Sequence, residues 1–420
     1  MMLTGRPGTT LTSRVPSRTE LADRCRDIRE FGLYLHIPFC RQICGYCPYH
    51  KQKFEDRAAA EYAMAVRREI DSYGSVVGPR PVTSLYIGGG TPTTMLEHGL
   101  PGLLEHLRGV FNLRCGVHME SHLNDLSEAN LDRIEAMGVG SLSMGVEALR
   151  DASLRLLGRP YTAEAARQTV RRVMARGFEC VNVDLMFALP GQSGEEVELA
   201  ARELVDLGVH QVSAYPLFRF PYTRMGSTGR AGNHGLGQIL RRRRMLERLE
   251  RAFAEAGYRR SSVWAFTKAG TPRYCSVTVP LYIGLGASGG SYLPDVFYLN
   301  TFSVAEYTRS LGEGRLPIAL SVDLTRRMQM AGWLYWRVYE TAWTRSDFRS
   351  RFGSSFDAVY GPFVRALRAA GFCDDDGDRI TLTNRGAYWL HALEDALSIA
   401  SIGTLWGAAT KEPWPQRVAI

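Results

Sequence analysis

Between Tyr34 and Lys51 the chain reads Y-L-H-I-P-F-C-R-Q-I-C-G-Y-C-P-Y-H-K, which sets three cysteines at the spacing Cys40-x-x-x-Cys44-x-x-Cys47. The preceding run Leu33 to Ile37 is a strand pattern, and a loop leaving such a strand can turn three thiolates toward one point. A [4Fe–4S] cubane takes one thiolate per iron, so three cysteines leave one iron open to another ligand. The competing arrangement is a closed Cys3His zinc site completed by His50. A disulfide framework is weaker, because the other cysteines (25, 115, 180, 275, 373) are scattered and no secretory signal precedes them.

Three further places carry chemistry. Tyr86-Ile-Gly-Gly-Gly-Thr-Pro-Thr93 ends a predicted strand, where glycines let the backbone approach a ligand, although such a triplet is usually just a tight turn. Glu120 stands at the next strand end and could accept hydrogen bonds from a ribose or an ammonium group, or be a solvated loop acid. Asp184 is a single acid in the apolar run Val181 to Leu189, and burying it would cost several kcal/mol without a partner.

The elements that must position these residues alternate. Strands are expected at 32–37, 82–87, 115–120, 140–145, 180–186 and 210–215, with helices near 54–73, 96–110, 126–137, 161–177 and 194–207. That order predicts an α/β fold, a parallel sheet curled by right-handed crossovers into a partial (β/α)6 TIM-like barrel with its chemistry at the C-terminal strand ends. Residues 322–395, with the aromatic stripe Trp333, Tyr335, Trp336 and Tyr339, read as a small C-terminal helical, winged-helix-like cap that would serve as a substrate lid. The expected organisation is an N-terminal arm (1–29), the barrel (30–225), an extension (226–315), the cap (316–398) and a tail (399–420). Residues 1–20 read as a flexible arm and 400–420 as a loose tail.

The 420 residues carry a net charge of +8, nearly all of it arginine dispersed along the chain. Arg241 to Arg244 lie in a helical pattern and read as a solvated face, so no nucleic-acid partner is expected. No stretch reaches membrane-spanning length, so no membrane partner is expected and a reduced, cytoplasmic location suits the cysteines.

The cysteine loop, with Tyr46 before the last cysteine, resembles the signature of the radical S-adenosylmethionine (SAM) superfamily, and Y-x-H-I-P-F-C resembles its HemN-like branch. The resemblance runs from about residue 30 to about residue 395. It implies a [4Fe–4S] cluster on Cys40, Cys44 and Cys47 whose open iron is chelated by SAM, two SAM molecules in all, and an external electron donor of flavodoxin or ferredoxin type. It also implies site roles: Gly89, Gly90 and Thr91 would hold the methionine amino end, Arg159 the carboxylate and Asp184 the ribose. Tyr34, Tyr46, Glu120 and Glu147 would touch SAM, and Ala214 with its neighbours would form the adenine pocket. The segment Gly284-Leu-Gly-Ala-Ser-Gly-Gly-Ser291 resembles one that helps bind the second SAM, with Gly289 and Gly290 replacing bulkier residues. Two departures stand nearer the first SAM, where Glu120-Ser-His-Leu123 lacks the branch's proline and Glu147 stands for a glutamine that could donate as well as accept.

Three activities compete within this resemblance: methyl or methylene transfer from a second SAM to an sp2 carbon, as in class C methyltransferases and cyclopropanases; oxidative decarboxylation of coproporphyrinogen III or a related haem-degrading reaction; and non-catalytic haem carriage. Tyr49 stands where the coproporphyrinogen oxidases have a fourth cysteine, their N-terminal substrate string is missing, and the histidine-asparagine segment linked to haem carriage is not visible. These departures favour the first activity, acting on an unsaturated or aromatic natural-product substrate alongside a partner methyltransferase or cyclase.

Overall fold

A computed structural model describes residues 9–227, 235–274 and 280–420. Six strands, β1 (Phe31–Ile37), β2 (Pro81–Gly89), β3 (Val117–Ser121), β4 (Val139–Glu147), β5 (Cys180–Phe187) and β6 (Gln211–Pro216), lie side by side in chain order, every neighbouring pair parallel. The crossovers carry helices α1 (Asp56–Val77), α2 (Leu100–Val110), α3 (Glu128–Ala136), α4 (Ala163–Met174) and α5 (Gly194–Asp206). Ser127, Thr162 and Ser193 start α3, α4 and α5 by accepting a backbone N–H from the first turn.

Strand parity decides what each face does. Leu33, Leu35, Ile87, Met119, Leu142, Val183 and Ala214 point outward and are buried in one apolar core with the helices. Their neighbours Tyr86, Glu120, Ser143, Asp184 and Ser213 point inward and line a cavity. The barrel is open: beyond β1 the sheet continues through Tyr282–Leu285, parallel to β1, while beyond β6 comes Ala265–Lys268, antiparallel to it. The expected α/β partial barrel is thus present. The cap packs helices Arg326–Tyr339, Arg345–Phe352 and Phe356–Ala369 on a three-stranded sheet around Trp333, Phe348, Phe356 and Ile380. No helix among the described residues is long and apolar enough to cross a membrane.

Both chain ends differ from expectation. Residues 1–8 lie outside the described residues, but Thr10–Thr12 is a strand paired with Arg417–Ala419 on one side and Ser321 on the other, and Ser17 and Glu20 form a capping box on a helix over Arg18–Cys25. The expected tail is instead the end of a long helix, Asn384–Lys411, followed by Trp414, whose Nε1 donates to Glu306 at 2.8 Å. Each end finds its hydrogen bonds on distant segments, so neither shows a pattern of its own.

The arginine run differs too. Arg241 donates to the carbonyls of Ala188, Leu189 and Gln192, Arg242 to Leu217, and Arg243 pairs with Glu247 and Glu250. Arg241 and Arg242 thus tie the helix Leu236–Glu255 to the loops above β5 and β6, Arg243 pairs within the helix, and Arg244 is exposed as expected.

Candidate active site

Leaving β1, the chain forms a two-residue parallel bridge, Phe39 beside Gln52 and Cys40 beside Lys53, so that the cysteine loop starts and ends at one place. The loop is held from four sides. Gln42 Nε2 donates to Gly158 O at 2.6 Å, Met225 N to Gly45 O at 2.9 Å, and Lys51 Nζ to Cys47 O at 2.5 Å and Tyr49 O at 3.0 Å. On the sulfurs themselves, the Thr91 hydroxyl donates to Cys40 Sγ at 3.4 Å and Arg159 Nη1 to Cys44 Sγ at 3.9 Å. Cys40, Cys44 and Cys47 line one end of a cavity of about 440 Å³. That volume lies in the range of small-molecule sites.

His50 does not join them. Its ring packs on Phe302 at 5.2 Å and beside His36 at 6.1 Å, outside the cavity lining. Among the described residues no three His, Cys, Asp or Glu side chains gather as ligands of one ion. The Cys3His arrangement is therefore not formed, whereas a cubane needs its sulfurs spread over separate irons.

The glycine segment comes next. Gly89 has φ +117 and a side chain there would overlap the His36 ring, while one at Gly90 would strike the Phe39 and Ile37 carbonyls. These glycines let β2 end directly beneath the cysteine loop, with Gly89, Gly90 and Thr91 on the cavity. Glu120 receives Tyr86 Oη at 2.6 Å and Gly89 N at 3.0 Å, and burial pushes its carboxyl up from the usual range.

Across the barrel, the β4–β5 register shifts between Gly145 and Glu147, and Glu147 takes a left-handed φ of +67. This bulge turns its carboxylate into the cavity, where it pairs with Arg159 Nη2 and accepts from Tyr215 Oη at 3.0 Å. Burial works against the Arg159 charge, but Glu147 together with Tyr46, Tyr161 and Cys44 more than offsets it and raises its pKa. Arg159 also lies over the Tyr46 ring at 5.9 Å. Asp184 receives only Asn182 Nδ2, at 2.9 Å, so burial first and the Glu147 and Glu120 charges next push its pKa well above normal.

Several expected residues lie elsewhere. Tyr34 is just below the cavity lining, stacked 6.1 Å from Tyr86, and its hydroxyl hydrogen-bonds His36 Nδ1 at 2.8 Å. Ala214 faces the outer core, and its neighbours Ser213 and Tyr215 face inward. Gly289 and Gly290 are off the cavity: Gly289 abuts the Gly284 backbone and Gly290 begins a strand, Gly290–Leu293, that pairs with Val296–Asn300. The preceding stretch 275–279 lies outside the described residues.

Sequence reasoning missed two sets. The first is an interior network: Tyr274 Oη donates to Tyr86 Oη at 2.5 Å, Gln211 Nε2 to Asn182 Oδ1 at 3.2 Å, and Asn182 Nδ2 to Ser143 Oγ at 2.8 Å. Polar residues at alternate strand positions were its signal. The second is the far wall that Trp264 forms with His391, Asp395, Ser398 and Ile402 of the long C-terminal helix, beside Tyr335 and Tyr339 of the expected aromatic stripe. Their spacing of about one helical turn marked a single face.

The donor set fits SAM and a cluster. Glu120 and Asp184 offer carboxylates to a cation and a diol, and the buried Arg159 Nε has no acceptor, as a carboxylate would provide. Residues 34–204 match the radical SAM superfamily. The chain is 26% identical over 360 residues to the heme chaperone HemW of Bacillus subtilis, covering 84% of this chain and 95% of that protein. It is 26% identical over 392 residues to the oxygen-independent coproporphyrinogen III oxidase of Bradyrhizobium diazoefficiens, covering 87% and 86%. The solved coproporphyrinogen III oxidase (HemN) from Escherichia coli superposes with a TM-score of 0.77 at 20% identity over 94% of both chains, a likeness of fold.

Proposed function

We propose that this chain, a radical SAM enzyme of the HemN type whose cofactors are a [4Fe–4S] cluster and SAM, holds the cluster on Cys40, Cys44 and Cys47 and acts on a flat, unsaturated small molecule lodged against its C-terminal helix. When bound, the cluster and SAM together supply a 5′-deoxyadenosyl radical after uptake of one electron, so an electron donor and a substrate are required. Gly89, Gly90 and Thr91 offer backbone and hydroxyl groups to the methionine end of SAM. Arg159 would offer its orphaned Nε–H to the carboxylate, Glu120 would take the ammonium and Asp184 the ribose. Tyr46 packs over the Arg159 guanidinium and keeps water from it. The cavity floor is a closed network of hydroxyls and amides that fixes these acids in place before any ligand arrives.

Within that chemistry the finer reading is C-methylation or cyclopropanation of an sp2 carbon, the transferred carbon coming from a second SAM. The charge balance of the cavity carries this reading. Most of its cations are already engaged, Arg159 by Glu147, Arg273 by Glu340 at 3.0 Å and His391 between Glu394 and Asp395, which leaves Lys51, whose ammonium is turned onto the cysteine loop. A polycarboxylate tetrapyrrole would want basic partners there, whereas a weakly charged aromatic substrate would be content with Tyr335, Tyr339 and Trp264. Tyr49, 60% exposed to the cavity where the oxidases have a fourth cysteine, points the same way. With Gly289 and Gly290 turned away, the second SAM would have to share the cavity that the cysteines line.

A tetrapyrrole ligand is the second reading, favoured by the relatives' activities and by those aromatic walls. Anaerobic reconstitution with SAM and dithionite separates the two. Deoxyadenosine together with S-adenosylhomocysteine, both lost in Cys40→Ala, supports two-SAM transfer; deoxyadenosine alone, rising with coproporphyrinogen III, overturns it in favour of the second.

A further inference from the structure

Lys51 is the only lysine on the cavity, and its ammonium turns back on the loop it closes. Both of its acceptors, Cys47 O and Tyr49 O, are neutral carbonyls. Among the described residues it makes no ion pair, whereas Arg159, whose guanidinium reaches Cys44 Sγ, is neutralised by Glu147. Lys51 therefore sets uncompensated positive charge against the loop, half-shielded from solvent.

The potential of an iron–sulfur cluster depends on net charge, on hydrogen bonds to the sulfurs and on exposure. A fixed cation nearby favours the reduced state, which carries one more negative charge. We propose that Lys51 is a positioning residue for the cluster, its charge raising the potential at which the cluster accepts an electron while its two hydrogen bonds hold the limb that carries Tyr49. This rests on the cluster assignment made above. The step is a one-electron reduction: a low-potential flavodoxin- or ferredoxin-type protein loses the electron, the cluster gains it, and Lys51 keeps its proton with no bond formed or broken.

The full chain and the variants Lys51→Arg, Lys51→Met and Lys51→Glu are reconstituted without oxygen, assayed for iron and titrated with dithionite under EPR. Full iron is expected throughout. At a fixed potential the reduced-to-oxidised ratio should fall about tenfold in Lys51→Met, equivalent to about 59 mV for one electron. It should stay within about twofold in Lys51→Arg and fall further in Lys51→Glu. If Lys51→Met binds less iron, Lys51→Gln replaces it. Equal shifts in the Arg and Met variants would mean that hydrogen bonding rather than charge matters, and no shift in either Met or Glu would remove any role; each overturns the proposal. A wild-type protein that takes up no cluster overturns the underlying assignment instead.

Discussion

The two strands that flank β1, β2 and Tyr282–Leu285, both run parallel to it and both end in glycines, Gly88-Gly-Gly-Thr91 and Gly284-Leu-Gly-Ala-Ser-Gly-Gly290. Each glycine turn also donates a backbone N–H to a glutamate: Gly89 to the half-buried Glu120 at 3.0 Å, Gly286 to the buried Glu69 at 2.7 Å. Their surroundings separate them. Glu120 stands on the cavity with two donors, whereas Glu69, on α1, takes three from Gly286 N, Asn300 Nδ2 and Tyr307 Oη and faces no cavity. A glycine-rich strand end is thus no ligand site by itself. What distinguishes one is an acid with accepting capacity left, opening on space.

That contrast can be broken most sharply on the cavity side. Cys40→Ala should abolish iron content and SAM cleavage while leaving far-UV circular dichroism and Tm nearly unchanged, because the loop is anchored by backbone and Gln42, Lys51 and Met225 contacts. Iron retained with turnover would sink the cluster assignment. On the other side the cost should fall on the fold. In Gly286→Ala, a methyl group at φ +95 would meet the Tyr62 hydroxyl and the His36 carbonyl. Overpacking of this kind costs about 1–3 kcal/mol, and the left-handed backbone adds to it. Urea unfolding should show that loss, with iron per folded molecule unchanged.

A smaller effect is expected for Glu120→Gln. The amide keeps the Tyr86 bond but leaves Gly89 N–H or a ligand ammonium facing a neutral group. Hydrogen bonds to charged groups contribute about 1.5–3 kcal/mol, so calorimetry should find SAM binding weakened about 10- to 100-fold without loss of cluster. Unchanged SAM affinity would return Glu120 to a structural role like that of Glu69.

Much of this was legible in the sequence, and unevenly. The six strands and their helices were, because each strand alternates an outward apolar set with an inward polar one and each crossover has its own 3.6-residue pattern. The cysteine loop, Gly89–Thr91, Glu120 and Glu147 fall together because they sit at C-terminal strand ends, which topology brings to one place; Asp184 joins them by facing inward from within β5, and Arg159 by its pairing with Glu147. Ala214 was misplaced by one step of strand parity. The second glycine segment misled because its occupant is the protein's own Glu69, 217 residues away in sequence. Partners at that separation leave no local pattern, and the same holds for Thr10–Thr12 against Arg417–Ala419 and for the Arg241 carbonyl contacts.

Glu69 offers the finest test of the contrast. Burial raises its pKa from the ordinary 4.5 to about 7, against the pull of its three donors. Between those values the unfolded chain has lost the proton and the folded chain keeps it, so the Glu69 contribution to stability is greatest below about 4.5 and falls as pH rises toward 7, by about 3 kcal/mol in all, against the rise from the buried His36, His50 and His122. Glu69→Gln holds a neutral group there at every pH. Urea titrations from pH 4.5 to 7 should therefore show a shallower decline in the variant. Glu120 and Asp184 are raised in the same direction and add to the wild-type slope, but they face the cavity. SAM should flatten their share and leave that of Glu69 intact. A slope that SAM removes entirely, or that Glu69→Gln leaves untouched, would mean the two glutamates are not divided as their surroundings indicate.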